Sequence, residues 1–396
     1  MKNKSLFFLF IFLLSCLGQT GSDVYLPALP AIRSVFHTTT QIMQFSLAIY
    51  MLGFSVFHLI YGPLSDSVGR KKPLIIGMMI CIAGLLLCRF AQNIEIFVVG
   101  RFLQGAGAAA GAALFLSILR DVYQGNTLAK ISSFLGVTRV LLLASSPLIG
   151  SYLLDLFDWR ACFTFLLIYA LFCLIASITI FQETNRFTHL NKNDLVSIGK
   201  KICEILKNKT FIGYTFCVMF AFGGILAWLT TLPFLLQDLI GLTPIQFGWI
   251  SALAGTFFIV GGFINAMVVE RAGLQNMLYI GLWIMLMSAV ALLGFGLEGT
   301  LNTFVIMTPI CIYIIGSSMV FANAYAGAMH PFTFNAGTAA ALFGFLQILG
   351  GAISSFCMSA TKTYNQIPLS IALLLSAGLS IIILKLTQQT AHKTKL

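Results

Sequence analysis

Twelve long apolar runs, separated by short polar breaks, constrain this chain more than any other feature of its 396 residues. A helix that crosses a bilayer needs about 20 apolar residues, and every run reaches roughly that length. An open sheet cannot satisfy its backbone hydrogen bonds in lipid, so the runs predict an all-α membrane protein with twelve transmembrane helices. The predicted spans lie near 5–31, 40–61, 73–92, 95–118, 128–154, 160–182, 211–236, 244–269, 275–296, 300–325, 336–360 and 366–386.

The composition excludes the soluble classes of protein. Charged residues make up 9% of the chain and hydrophobic residues 59%, whereas a soluble domain carries about 25% charged residues. The sequence has no phosphate-binding loop, no serine–histidine–aspartate arrangement and no metal-ligand spacing, so we expect neither an enzyme nor a metal site. No cofactor is expected. The nine cysteines form no CxxC pair and are interpreted as small hydrophobic residues, buried except for Cys203.

The distribution of lysine and arginine predicts the orientation. With the N-terminus in the cytoplasm, 17 of the 23 basic residues fall on the cytoplasmic side and four on the other side, as the positive-inside rule requires. Both termini are therefore expected in the cytoplasm. The net charge of +11 has this origin, and no nucleic-acid partner is expected.

A degenerate internal repeat divides the chain into two halves. Asp66 and Gly69 follow the second run, and Glu270 and Gly273 follow the eighth at a spacing of 204 residues. Internally duplicated transporters bind their substrate between the repeats, so the duplication predicts a substrate site there.

The same division predicts two six-helix bundles and a linker. The bundles cover 1–183 and 211–396, and the linker covers 184–210. A basic amphipathic segment of the linker is expected to lie on anionic lipid, and a docking site for a partner is the alternative. We expect a monomer surrounded by the lipid bilayer.

The first span has an alternative interpretation as a lipoprotein signal peptide that ends at Cys16, because a charged start precedes a short apolar core. Cleavage would leave eleven spans and remove the helix that carries Asp23. We therefore expect this segment to be retained.

Two charged residues inside the predicted spans are the strongest candidates for function. A charge inside a bilayer costs about 2.5–3.5 kcal/mol even on lenient scales, so such residues are rarely incidental. Asp23 and Arg101 lie at similar depths, roughly 12 Å and 9 Å from the outer ends of their helices at ~1.5 Å per residue. We hypothesise that they approach each other across a cavity and that Asp23 binds and releases a proton. A fixed ion pair, or a residue near the headgroups, is the alternative.

Three residues of the fifth span leave alternatives open. Arg139 could bind an anionic group, pair with Asp23, or extend its side chain to the membrane surface. Pro147 with Gly150 predicts a kink that gates the cavity, and a tolerated membrane proline is the alternative.

Polar and aromatic side chains within the spans are candidates to line a substrate cavity, although each could instead hold helices together. They are Gln19, Tyr25, Gln44, Tyr50, Arg139, Trp228, Asn265, Asn323 and Gln347.

The loop GPLSDSVGRKK at 62–72 predicts a conformational latch. Gly62 begins a tight turn, Asp66 can accept hydrogen bonds from an exposed helix N-terminus, and Arg70 can pair with Asp121. Gly69 belongs to the same run. An ordinary basic loop that sets the orientation is the alternative.

These motifs resemble those of a known transporter family. The loop at 62–72 matches a signature of the major facilitator superfamily, and RFLQGAGAAAG at 101–111 resembles the signature of its fourth helix. Other segments resemble the Bcr/CflA subfamily of bacterial drug:proton antiporters. They are TGSDVYLPALP, ILRDVY, DWRA, QET and GTAAALFGFLQ.

The resemblance implies two six-helix bundles around a central cavity that opens alternately to the two sides. It implies Asp23 as the proton site with Arg101 as its partner, and a charge latch of Asp66, Arg70 and Asp121.

We therefore predict a multi-pass, proton-coupled exporter of small amphiphilic compounds in a bacterial inner membrane. One alternative is a dedicated exporter of a single metabolite such as an amino acid, a sugar or a siderophore. A proton symporter working inward and a non-transporting membrane sensor are two more.

Overall fold

The computed structural model describes residues 4–185, 199, 202–332 and 336–393, and within them it confirms twelve helical segments long and apolar enough to cross a membrane. The spans are Leu6–Val35, Thr40–Val68, Lys71–Arg89, Ile94–Val122, Gly125–Leu156, Trp159–Thr179, Lys209–Leu239, Pro244–Ala272, Leu274–Leu297, Thr303–Met329, Gly337–Ser359 and Ile367–Thr387. The helix of the last span continues to Lys393. Most of the predicted amphipathic linker segment falls outside the described residues, and the cytoplasmic position of both termini stays a prediction.

The first span is not one continuous helix. Its first helix, Lys4–Asp23, ends at Asp23, a 3₁₀ turn covers Leu26–Ala28, and a second helix covers Leu29–Val35. Pro27 explains the break, because a proline ring clashes with the carbonyl four residues earlier, which here is that of Asp23. The chain therefore places its intramembrane acid at an interrupted helix end.

The predicted tight turn at Gly62 is wrong. The second helix runs without interruption from Thr40 to Val68 with Pro63 inside it. Gly69 ends the helix with a φ of 91°, a conformation that residues with a side chain rarely adopt. Most of the loop signature is thus helical, and the turn is confined to Gly69 and Arg70.

The packing follows the internal repeat. The two halves meet where the second span packs on the eleventh and the fifth packs on the eighth, which are equivalent pairs in a duplicated chain. Within the first half, the fourth span lies against the second and third. Gly105 and Gly107 allow this close approach, because a Cβ at either position would overlap the backbone of a neighbouring span.

Seven of the nine cysteines are buried, as predicted, and none of the nine forms a disulfide in the described residues. Cys203 is exposed, as expected. Cys357 is exposed as well, although it lies in an apolar span and was predicted to be buried.

Candidate functional site

Two adjoining cavities lie between the halves. The first, here the mouth cavity, measures ≈ 500 Å³ and reaches Asp66, Arg70 and Asp121 at one end of the bundle. The second, here the deep cavity, measures ≈ 330 Å³ and is lined by Asp23 and Trp228 among others. Both halves contribute residues to each cavity. The cavities therefore lie between the halves, where the internal repeat predicts a substrate site.

The candidate cavity residues divide into two groups. Gln19, Arg139 and Gln347 line both cavities, and Trp228 lines the deep one together with Pro147. The others line neither cavity. They are Tyr25, Gln44, Tyr50, Asn265 and Asn323.

Most of the second group hold helices together. Asn323 donates a hydrogen bond of 2.6 Å to the side-chain oxygen of Asn265, which joins the tenth and eighth spans. Gln44 donates to the Thr363 hydroxyl at 3.2 Å and so connects the two halves. These residues agree with the alternative considered from the sequence, in which polar side chains connect neighbouring segments instead of lining a cavity.

Arg101 is completely buried behind the first span rather than facing a cavity. Its guanidinium carbon lies 3.9 Å from the ring centre of Tyr25 and 4.2 Å from that of Tyr50. It donates to the Gly21 carbonyl at 3.0 Å and to the side-chain oxygen of Gln104 at 2.6 Å. Two aromatic faces and two neutral oxygens thus hold a fixed positive charge close to the end of the first helix.

Asp23 lies at the deep cavity, half-buried, as the last residue of its helix. Ser22 donates a hydrogen bond of 2.6 Å to one of its carboxylate oxygens. Among the described residues, no ion pair within 4.0 Å joins Asp23 to Arg101. The two residues therefore form no direct ion pair in this structure, because Arg101 donates instead to the Gly21 carbonyl and to Gln104. Their approach across a cavity stays a prediction.

Arg139 lies where the two cavities adjoin. Its guanidinium carbon is 4.9 Å from the ring centre of Phe115, and its Nε is buried with no hydrogen-bond partner in the part of the chain that the structure describes. No carboxylate lies within 4.0 Å of it in the part of the chain that the structure describes. The pair with Asp23 is not formed, and the guanidinium is at the cavities.

The fifth helix continues past Pro147, from Gly125 to Leu156. The Ser151 hydroxyl donates to the Pro147 carbonyl at 2.8 Å. Gly150 touches the first span so closely that a Cβ there would overlap the carbonyl oxygen of Val24. This contact fixes the fifth span against the break after Asp23.

A network of charges centres on Arg70, and we call it the Arg70 cluster: Ser65, Asp66, Arg70, Asp121 and Glu183. The Arg70 guanidinium donates to Asp121 at 3.2 Å and to the Ser65 hydroxyl at 2.6 Å, and it also pairs with Asp66. Gly62 lies one turn before Asp66 and lines the mouth cavity.

Glu183, like Ser65, is a member of this cluster that sequence reasoning missed. Its carboxylate accepts hydrogen bonds from the backbone N–H groups of Arg70 at 2.8 Å and Lys71 at 3.0 Å. Burial alone would raise the pKa of Glu183, but these bonds and those from the backbone of Thr184 and Asn185 hold its pKa below the ordinary value. The helix that begins at Lys71 has no side-chain cap of its own, so its first backbone N–H groups need an acceptor from elsewhere. The glutamate of the QET motif after the sixth span was the signal in the sequence for such an acceptor.

At the opposite end of the bundle, polar contacts join the halves. Arg33 forms an ion pair of 2.6 Å with Asp238, and Gln237 donates to the Pro27 carbonyl at 3.2 Å. Asp238 and Gln237 belong to a π-helical turn, Phe234–Leu239, in the seventh span. The halves are therefore tied at this end, while the mouth cavity extends to the other.

Comparison with known proteins places the chain among transporters. Residues 10–355 match the model of the Major Facilitator Superfamily. An uncharacterised transporter of this type from Bacillus subtilis, YdgK, is 32% identical over 374 residues, covering 92% of this chain and 91% of that protein. A bicyclomycin resistance protein homolog from Haemophilus influenzae is 27% identical over 93% of this chain and 92% of its own length.

Two further comparisons agree. Multidrug resistance protein D from Escherichia coli is 28% identical, over 87% of this chain and 86% of its own. The inward open conformation of the xylose transporter XylE from Escherichia coli superposes with a TM-score of 0.73 at 16% identity, covering 94% of both chains. The structural likeness shows the shared fold.

Proposed function

The chain belongs to the major facilitator superfamily, and from that premise we propose that this transporter exports small amphiphilic compounds in exchange for protons. One observation carries the proposal: a carboxylate, Asp23, lies at the deep end of a cavity formed by both halves. The names of two relatives, for bicyclomycin and multidrug resistance, support drug-like compounds as the substrates.

Asp23 is the proposed proton site. A carboxyl in an apolar cavity favours its neutral form, and a neighbouring cation favours its charged form. Arg101 is a fixed cation near this site, because its guanidinium donates to the carbonyl of Gly21, two residues before Asp23 in the chain. A movement of the broken first span relative to Arg101 would therefore change the proton affinity of Asp23, and that change couples proton flow to transport.

Alternating access requires the two ends of the cavity to open in turn. In the proposed cycle, the Arg33–Asp238 pair opens when the mouth cavity closes, so that substrate leaves on that side. The Arg70 cluster belongs to the first half, and it keeps the ends of its second, third, fourth and sixth spans together while the halves rock. Pro147 and Gly150 are the proposed gating bend beside the deep cavity.

The proposed setting is a bacterial inner membrane, with the chain as a monomer and the mouth cavity toward the cytoplasm. Protons and a small molecule are its partners, and the proton gradient replaces a cofactor. The prevalence of basic residues at the Arg70 end of the bundle supports this orientation.

Substrate-induced proton movement tests the proposal. Purified protein is reconstituted in liposomes that contain a pH-sensitive dye, and a panel of amphiphilic drugs and metabolites is added. Proton movement with several unrelated amphiphiles is expected. Movement with one metabolite would indicate a dedicated exporter, accumulation in the same direction as protons would indicate a symporter, and movement with none would contradict proton-coupled export.

A further inference from the structure

Asp23 and Arg139 carry opposite charges and line the same deep cavity without forming an ion pair. Among the described residues that line this cavity, these two are the charged ones. Opposite charges in an apolar cavity attract strongly, yet here neither charge has an ion-pair partner among the described residues: Asp23 accepts a hydrogen bond from Ser22, and Arg139 contacts the Cys16 thiol and the Phe115 ring. A ligand that carries both complementary charges would provide both partners at once.

The hydrogen-bonding groups of the cavity favour an acceptor-rich ligand at the Arg139 side. Three residues that line the deep cavity each have a buried polar atom without a hydrogen-bond partner among the described residues: Arg139 Nε, Trp228 Nε1 and Ser251 Oγ. The first two can only donate, and buried polar groups are normally paired. A carboxylate is suited to this environment, because guanidinium and carboxylate form two parallel hydrogen bonds.

The remaining wall of the deep cavity is apolar and aromatic. Phe222, Trp228 and Phe258 line it, and Gln19 and Gln347 lie where it adjoins the mouth cavity. A flat aromatic body could pack on these rings between the two charged ends. The other charged residues that line either cavity lie at the mouth: Asp66, Arg70, Arg120 and Asp121. Three of them are partners within the Arg70 cluster.

We propose that this transporter selects zwitterionic amphiphiles, with a protonated amine bound at Asp23 and a carboxylate bound at Arg139. The inference rests on the proposed function and deepens it. An ammonium group at Asp23 competes directly with the proton for the same carboxylate, which is the relation that exchange requires. A ligand with a carboxylate alone would not compete with the proton, and a ligand with an amine alone would leave Arg139 unpaired.

Three forms of one aromatic body test this selection: norfloxacin, which carries both charges, its ethyl ester, which keeps the amine, and its N-acetyl derivative, which keeps the carboxylate. Binding to the purified full-length protein is measured by equilibrium dialysis. We expect norfloxacin to bind at least tenfold more tightly than either derivative.

Variants assign each charge to its partner. Arg139→Gln should remove the advantage of norfloxacin over its ester, and Arg139→Lys should retain part of it. Asp23→Asn should remove the advantage over the N-acetyl derivative. Arg89→Gln, at a partly exposed site on the opposite end of the bundle and away from both cavities, is the matched control and should change nothing. Unfolding midpoints verify that each variant is folded.

Equal binding of the three compounds, absence of binding, or an unchanged preference in Arg139→Gln would overturn the inference. Proton movement in the wild-type liposomes is measured with the wider panel in parallel. If protons move with the ester as readily as with norfloxacin, the proposed exchange stands and the zwitterion selection fails. If no compound moves protons, the proposed function itself fails.

Discussion

The guanidinium of Arg33 lies 2.6 Å from the carboxylate of Asp238, and this pair connects the second helix of the broken first span to the π-helical turn of the seventh. It joins the two halves at the end of the bundle away from the Arg70 cluster. An export cycle must break this pair to open the Arg33 end of the bundle. The strength of the pair therefore contributes to the equilibrium between the state open at the Arg33 end and the state open at the mouth cavity.

Removal of this ion pair should shift the protein toward opening at the Arg33 end. Both side chains are about a quarter exposed, at 28% and 25%, and such pairs contribute about 0.2–1 kcal/mol. Asp238→Asn should therefore raise the population open at this end by up to about fivefold. Spin labels at Phe36 and Leu242, after replacement of the exposed Cys203 and Cys357, report the distance between the halves.

The reversed pair is the control for this prediction. Arg33→Asp combined with Asp238→Arg should restore the wild-type distance distribution, because the attraction is rebuilt with exchanged partners. Arg160→Gln is a second control at the same end of the bundle. Its acidic neighbour, Asp158, belongs to the same half, so removal of this charge should have no effect on the distance between the halves. An unchanged distribution in Asp238→Asn would show that the pair does not hold the halves together.

Within the Arg70 cluster, Asp121→Asn should slow exchange more than Asp66→Asn does. The side chain of Asp121 is 22% exposed and also accepts from the Thr184 hydroxyl at 3.0 Å, whereas that of Asp66 is 61% exposed. An ion pair with a less exposed acid is less screened by solvent, so its removal costs more. Exchange rates in liposomes give the order, and an altered set of transported compounds in either variant would contradict a conformational role.

The contacts of Glu183 predict a pH dependence of stability. Since its folded-state pKa is lowered, its contribution is present above the ordinary value of 4.5 and is lost as the pH falls below that value. The unfolding midpoint of the wild type should therefore exceed that of Glu183→Gln at about pH 7 and approach it at about pH 3.5. A constant difference between the two proteins over this range would rule out the titration of Glu183 as the cause.

Gly150 lies too close to the first span to carry a side chain without a shift of one of the two segments. Gly150→Ala places a methyl group on the Val24 carbonyl oxygen, so it should separate the fifth span from the first and lower the unfolding midpoint. Gly294→Ala, in a helix where no described atom lies within 4 Å of the added Cβ, should be neutral or slightly stabilising. Equal midpoints for the two variants would show that the contact tolerates a side chain.

The number and type of the spans could be predicted from the sequence because apolar length alone determines them. The pairing of Arg70 with Asp121 was also foreseen, since both residues lie at ends of helices on the same side of the bundle. Local rules failed where two signals competed. Pro63 and Gly62 predicted a turn, yet the helix continues to Val68 and only Gly69 ends it.

The remaining features depend on contacts between distant segments. Whether Arg101 faces a cavity or the protein depends on the rotation of its helix, and the packing of Tyr25 and Tyr50 against the guanidinium fixes it on the protein side. The Arg33–Asp238 pair forms between the halves, 205 residues apart in sequence, so no local pattern could indicate it.

Proton coupling through Asp23 is the central claim, and a comparison of two kinds of exchange in the same liposomes tests it most directly. Wild type and Asp23→Asn are supplied with saturating substrate, while a pH dye follows protons and labelled substrate follows substrate-for-substrate exchange. We predict that Asp23→Asn retains substrate exchange and loses proton movement completely. Proton movement at the wild-type rate in Asp23→Asn would contradict the account, because the proton would then bind elsewhere.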